Sequence, residues 1–169
     1  MSAELFMKST RLFYLSYVVL PAVMLAYAYY LQFVEGLAPC PLCIFQRLAY
    51  LAIAVVALVG VIHAPKNYFL RIYSGLIVIF AAVGAVIAGR QVWLQHLPAD
   101  KVPECGPGLD YMLDVFPLSD TLRMVFTGSG ECAKVDWTFL SFSVAEWSLL
   151  CFLIFLTVAA LHFFRAKQG

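Results

Sequence analysis

Hydrophobic positions in this chain fall into four long runs, 12–33, 44–62, 72–94 and 144–164, and each run holds at most one charged residue. Each is long enough to cross about 30 Å of hydrocarbon as a helix, which takes about 20 residues. The expected architecture is all-α, a four-helix bundle embedded in a membrane. Between the runs the pattern changes. The segment 34–43 is short and carries Pro39 and Pro41 on either side of Cys40, while Gly60 to Asn67, with Pro65, reads as a tight turn. In the longer segment 95–143 apolar residues return at near-helical spacing: Leu109, Met112, Leu113, Val115 and Phe116, then Leu122, Met124, Val125 and Phe126. That spacing predicts short amphipathic helices lying at the bilayer interface, the second capped by Ser119. A small packed cap with its own core is the competing reading, disfavoured by the shortness of the segment. Gly128-Ser129-Gly130 supplies a flexible turn after them. With no internal repeat or low-complexity stretch, residues 1–169 are expected to form a single membrane domain.

Composition sharpens this picture. The chain is 63% hydrophobic and 12% charged, which a soluble domain rarely is, and a net charge of +1 without a basic run gives no footprint for nucleic acid. The placement of charge sets orientation. Lys8 and Arg11, then Lys66 and Arg71, then Arg165 and Lys167 fall on one side of a four-span protein; Asp100, Glu104, Asp110, Asp114, Asp120, Glu131 and Asp136 fall on the other. By the positive-inside rule both termini are cytoplasmic and the loops 34–43 and 95–143 face outward. In a bacterium the outer side is the oxidising periplasm, where disulfides persist. Lys8 and Arg11 before an apolar run, with Ala26-Tyr27-Ala28 further on, imitate a cleavable secretory signal, but the run is too long, so a retained anchor kinked at Pro21 is expected.

Cysteine usage carries the chemistry. Cys40-Pro41-Leu42-Cys43 sits where the second span begins, and Arg47 lies one helical turn beyond Cys43 on the same face. A helix N-terminus and a permanent guanidinium charge both favour a thiolate, which makes Cys43 the candidate reactive sulfur. Cys105 and Cys132 lie in the long loop, about ten residues after the third span and about a dozen before the fourth, and at roughly 3.3 Å per extended residue either tether can return to Cys40 or reach a visitor. Four outward cysteines admit three full pairings, between which the residues do not choose. Inert staples, a four-thiolate zinc site and a disulfide-exchange relay compete. A four-span bundle does not need staples, and zinc wants a second close-spaced pair, so exchange is favoured. Exchange needs an electron sink. No glycine-rich nucleotide fingerprint or haem or flavin motif is present, and a lipid-soluble quinone takes up the two electrons and two protons that a closing dithiol releases. Polar residues at the end of the third span, Gln91, Gln95 and His96, suit the head of such an amphiphile, with Trp93 as an interface anchor and Arg90 most simply snorkelling to the headgroups. Cys151 reads as a small hydrophobe inside the fourth span, and His63 and His162 read as interface residues.

Cys40-Pro-Leu-Cys43 with Arg47, Pro65-Lys66, His96, and Cys132-Ala-x-x-x-Trp137-x-Phe139-Leu140 before Trp147 together resemble the disulfide bond formation protein B (DsbB) family over nearly the whole chain. The resemblance implies a thiol:quinone oxidoreductase of the bacterial inner membrane that reoxidises the periplasmic dithiol oxidant DsbA, with ubiquinone or menaquinone as acceptor and neither metal nor nucleotide. It further implies that Cys105 forms the mixed disulfide with DsbA, that Cys132 is the partner of Cys105, that Cys40 exchanges with Cys132, and that Cys43 faces the quinone with Arg47 and His96 in support. The interval from His96 to Cys105 is shorter than in the best-known members, and Gln46 stands where some relatives carry an acid, a change expected to matter little. The alternatives are an oxidase for a dedicated partner and a non-catalytic anchor with stapled loops.

Overall fold

The computed structural model describes residues 2–65, 67–103, 109–128 and 130–165. Its long helices are α1 (Ser2–Phe33), α2 (Pro41–His63), α3 (Asn67–Gln95) and α7 (Val144–Arg165), and among the described residues these four are long and apolar enough to span a membrane. Between α3 and α7 come a 3-10 turn (Ala99–Lys101), α4 (Leu109–Val115), α5 (Leu118–Thr127), α6 (Gly130–Ala133) and a two-stranded hairpin of β1 (Thr138–Phe139) and β2 (Phe142–Ser143). Local chemistry sets the ends. Cys40 is the N-cap of α2 and Pro41 its first residue, where a missing N–H costs nothing; the helix closes on Ala64 in the left-handed region, with Pro65 next. α7 opens on a capping box: the Ser143 N–H donates to Glu146 Oε2 at 2.6 Å and the Glu146 N–H to Ser143 Oγ at 3.2 Å.

α1 packs on α2, α2 on α3 and α3 on α7. The core runs along the bundle axis through Tyr14, Tyr50, Ile53, Ile77, Phe152 and Phe155, with Ala57, Ala81, Ala88 and Ala159 letting backbones approach. Hydroxyls inside a bundle need partners, and they have them: Tyr17 Oη donates to the Phe155 carbonyl at 2.8 Å and Tyr14 Oη to that of Leu70 at 3.2 Å. Leu12, Val23, Leu48, Val55, Ile79 and Leu153 point outward, as expected of a surface solvated by lipid. At the end remote from the cysteines, His162 stacks on Phe13 with ring centroids 3.9 Å apart and its Nδ1 lies 3.1 Å from Ser74 Oγ; His63 Nδ1 lies 2.9 Å from Tyr73 Oη. Both rings bridge neighbouring helices at that end of the bundle.

A second apolar cluster covers the cysteine end. Met112 from α4, Val125 from α5 and Cys132 from α6 bury against Leu42, Ile87 and Leu94 of α2 and α3. The loop helices share this core with the bundle, while Tyr111, Val115, Phe116 and Leu118 stay exposed on their other side. Two expectations are corrected in detail. Ser119 does not cap α5, because the helix begins at Leu118 with Pro117, two residues before Ser119, as an N-cap that makes no side-chain bond. Arg90 does not merely snorkel: its Nε and Nη2 donate to the Phe126 and Thr127 carbonyls at 3.1 and 2.8 Å, and its guanidinium lies 4.2 Å from the Trp93 ring centre, clamping the end of α5 to α3. Gly128, expected as part of a flexible turn, adopts a left-handed φ of 84° where any Cβ would strike Leu94.

Candidate active site

The site forms where the first turn of α2 meets the end of α3 and the loop segment around α6. Capping geometry brings the close-spaced pair together: the Cys43 N–H points at Cys40 Sγ at 3.4 Å, and the two sulfurs lie 2.9 Å apart as free thiols. Cys40 also hydrogen-bonds Cys132, which is buried to 1% exposure beneath the loop. One sulfur thus touches the other two. Those bonds, to Cys132 first and then to Cys43, together with burial, push the Cys40 thiol well above its ordinary range, so Cys40 keeps its proton.

Two buried glutamines complete the sulfur environment. Gln91 Nε2 donates to Cys43 Sγ at 3.3 Å and to Cys40 Sγ at 3.5 Å, and its Oε1 accepts from Gln46 Nε2 at 2.6 Å. Gln46 thus holds the Gln91 amide beside the sulfurs. An amide inside an apolar helix is the signal that could have drawn notice to it. Arg47 points the other way, to α1: Nη2 donates to the Ala28 carbonyl at 3.0 Å, Nη1 to Gln32 Oε1, and the guanidinium lies 5.0 Å from the Tyr29 ring centre.

Beside the sulfurs is a cavity of about 140 Å³. Met24, Leu25 and Leu31 of α1 give it an apolar wall, Cys43, Gln91 and Arg47 a polar edge, and Tyr50 lines it too; Glu131 and residues 134–137 line it from the loop. This is the character of a site for an amphiphile with an apolar ring and hydrogen-bond acceptors. Cys40, Cys43 and Arg47 all border it. His96 does not: it is largely exposed, with Nδ1 2.8 Å from the Val92 carbonyl and Nε2 3.8 Å from Glu146 Oε1, and Gln91 and Gln95 of the same helix end line the cavity instead. Cys105 lies outside the described residues. Among the described residues no group of metal-ligating side chains comes together, and Cys151 packs into the bundle core away from the cavity.

Residues 10–162 match the family model for disulfide bond formation protein DsbB. The chain belongs to the DsbB family. It is 55% identical over 140 residues to a disulfide bond formation protein B of Nitrosococcus oceani, covering 83% of this chain and 82% of that one. It is 51% identical over 147 residues to that of Methylococcus capsulatus (87% and 90%) and 50% identical over 144 residues to that of Acinetobacter baumannii (83% and 83%). As a DsbB-family protein it is a disulfide-generating oxidoreductase that crosses the membrane several times. The sulfur arrangement has the chemistry such an enzyme needs. Cys40, set between Cys132 and Cys43, can change partners without large movement, because exchange proceeds by attack of a thiolate on a neighbouring disulfide sulfur.

Proposed function

We propose that this protein moves electrons from a DsbA-like periplasmic dithiol through two cysteine pairs, Cys105–Cys132 and Cys40–Cys43, to a membrane quinone, in the bacterial inner membrane with both termini cytoplasmic. The observation that carries the reading is the contact of Cys40 with both Cys132 and Cys43 beside the cavity. The client's thiolate attacks Cys105, and Cys132 leaves with the electron pair of the broken bond. Cys132 attacks Cys40 of the Cys40–Cys43 disulfide, and Cys43 leaves in turn. The client's second thiolate closes its own disulfide by expelling Cys105. Cys105 then attacks Cys132 and releases Cys40, so the loop disulfide is restored, two electrons rest on the Cys40 and Cys43 sulfurs, Cys40 takes up one of the two client protons and the other is released.

A quinone, ubiquinone or menaquinone, supplies when bound a sink for two electrons and two protons as the Cys40–Cys43 disulfide closes again. Cys43 and Arg47 border the space that would hold its ring, with Gln91 beside them. A strong sink is required: a DsbA-type oxidant stands near about −120 mV, and each 30 mV of a two-electron couple is worth about 1.4 kcal/mol. The test is to mix the purified protein with reduced DsbA and a soluble ubiquinone or menaquinone analogue and to follow quinone absorbance against client thiol. One quinone should disappear per client disulfide formed, and Cys43→Ser should abolish turnover. A stapled anchor consumes no quinone, and an oxidase for a dedicated partner reduces quinone only with that partner's thiols. Arg47→Ala should raise the KM for quinone severalfold, and an unchanged KM rules against its place at the quinone.

A further inference from the structure

A relay through Cys40 has to leave electron density on one defined sulfur of the α2 pair, and the structure holds a device for this that the cysteines themselves do not provide. Gln91 is buried at 5% exposure, its amide wedged between the two sulfurs on one side and Gln46, also at 5%, on the other. Its NH2 reaches Cys43 Sγ at 3.3 Å and Cys40 Sγ at 3.5 Å; its Oε1 lies 2.6 Å from Gln46 Nε2 and 3.6 Å from Cys43 Sγ. A primary amide can turn over and offer either its carbonyl or its NH2 to a neighbour. Gln46 breaks that symmetry, since its own NH2 needs an acceptor and holds the Gln91 oxygen. The Gln91 donors are thereby aimed at sulfur. A donor held in place lowers the energy of an anion and does little for a neutral thiol, and it counts for more in a site screened from water.

We propose that Gln91 is a catalytic residue that stabilises the leaving Cys43 thiolate, and that Gln46 is a positioning residue that fixes the Gln91 amide with its NH2 toward the sulfurs. The inference rests on the exchange reading above. In the step concerned, Cys132 attacks Cys40, the Cys132–Cys40 bond forms as the Cys40–Cys43 bond breaks, and Cys43 departs with the electron pair. The Gln91 N–H groups meet the charge where it appears. No proton crosses in this step, so a fixed donor suffices.

The experiment uses the full chain in detergent, fully reduced, and measures the iodoacetamide alkylation rate of Cys43 by peptide mass spectrometry across pH, for wild type, Gln91→Met and Gln46→Met. Methionine keeps the side-chain shape and removes the amide. At neutral pH Gln91→Met should alkylate at Cys43 on the order of tenfold more slowly, as befits loss of a hydrogen bond to a charged group, and should regain the wild-type rate at alkaline pH. Gln46→Met should give the same signature at smaller amplitude, because its Gln91 amide is free to turn. Wild-type rates in both variants overturn the proposal. A loss that persists at every pH also overturns it, since that reports access rather than thiolate stability. Should Gln91→Met fail to fold, judged by its thermal melt, Gln46→Met decides alone, with a wild-type profile counting against the proposal. Quinone-coupled turnover of the wild type is read in parallel. Turnover with unaltered alkylation in the variants sinks this proposal and leaves the exchange reading standing; slowed alkylation without any wild-type turnover does the reverse.

Discussion

Gly84 on α3 tests whether the bundle is packed as described. A Cβ at this position would lie closest to Cε1 of Phe152, with Cζ at 2.5 Å and Cδ1 at 2.6 Å, where ordinary contact begins at 3.4 Å, so in Gly84→Ala the ring has to retreat by about an ångström. It has nowhere free to go, being fully buried and stacked on Tyr50 with ring centroids 4.2 Å apart. Overpacking of this kind costs about 1–3 kcal/mol. For a chain of this length each kcal/mol is worth roughly 2–4 °C, so Gly84→Ala should lower Tm by roughly 4–8 °C at the middle of that range. The measurement is a thermal melt in detergent followed by circular dichroism. Gly89→Ala is the internal control, because its Cβ would meet Leu149 Cδ1 at an ordinary 3.9 Å while alanine improves helix propensity; its Tm should hold or rise. Adding Phe152→Leu to Gly84→Ala should cost less than the two single changes summed, since the smaller side chain makes room. Because Tyr50 lines the cavity, the ring displacement should also raise the apparent KM for quinone. Equal melting temperatures for Gly84→Ala and wild type would refute this account of the α3–α7 contact.

Other predictions follow from the loop clamp and the sulfurs. Arg90→Ala removes two charge-assisted bonds to the end of α5, each worth about 1.5–3 kcal/mol when shielded and less at this exposed position. The loop should open more often, so alkylation of Cys132 in the reduced protein should speed up severalfold, and an unchanged rate rules out the clamp. Cys151→Ser should leave thiol oxidation within about twofold of wild type, because that sulfur packs only against the core; loss of activity would contradict its exclusion from the relay. The Cys40 thiol is raised above its ordinary value of 9.0, so its contribution to stability is complete below that pH and declines above it, where the unfolded chain releases a proton that the folded chain retains. Reduced wild type should therefore lose more stability than Cys40→Ser between about pH 8.5 and 10.5, and parallel curves refute the assignment.

The spans were legible because hydropathy over twenty residues is a local property; the helices simply extend past the windows, as α2 does by starting at Pro41, right after its Cys40 cap. Helicity in the loop was legible from spacing, but the surface its apolar face would choose was not, because Leu42, Ile87 and Leu94 come from distant parts of the chain. The same limit governs the site. Cys40 and Cys43 are paired by local geometry, whereas the contact of Cys40 with Cys132 joins residues ninety-two positions apart (132 minus 40). Gln91, Gln95 and His96 look alike as polar residues at one helix end. Only the register of α3 against α2 turns Gln91 to the sulfurs and leaves His96 outside. Arg47 was placed correctly one turn beyond Cys43, yet its rotamer follows acceptors on α1 that no spacing rule could name.

The stretch bearing Cys132 has a double duty. Glu131 on one side of that cysteine, and Lys134 through Trp137 on the other, form part of the rim around the space next to Cys43. Moving this sulfur away from Cys40 would therefore strip away a side of the chamber, and bringing it home would rebuild that side. In the proposed relay, release of Cys132 and access to the cavity would be mechanically linked by a single piece of backbone, as an airlock couples its two doors.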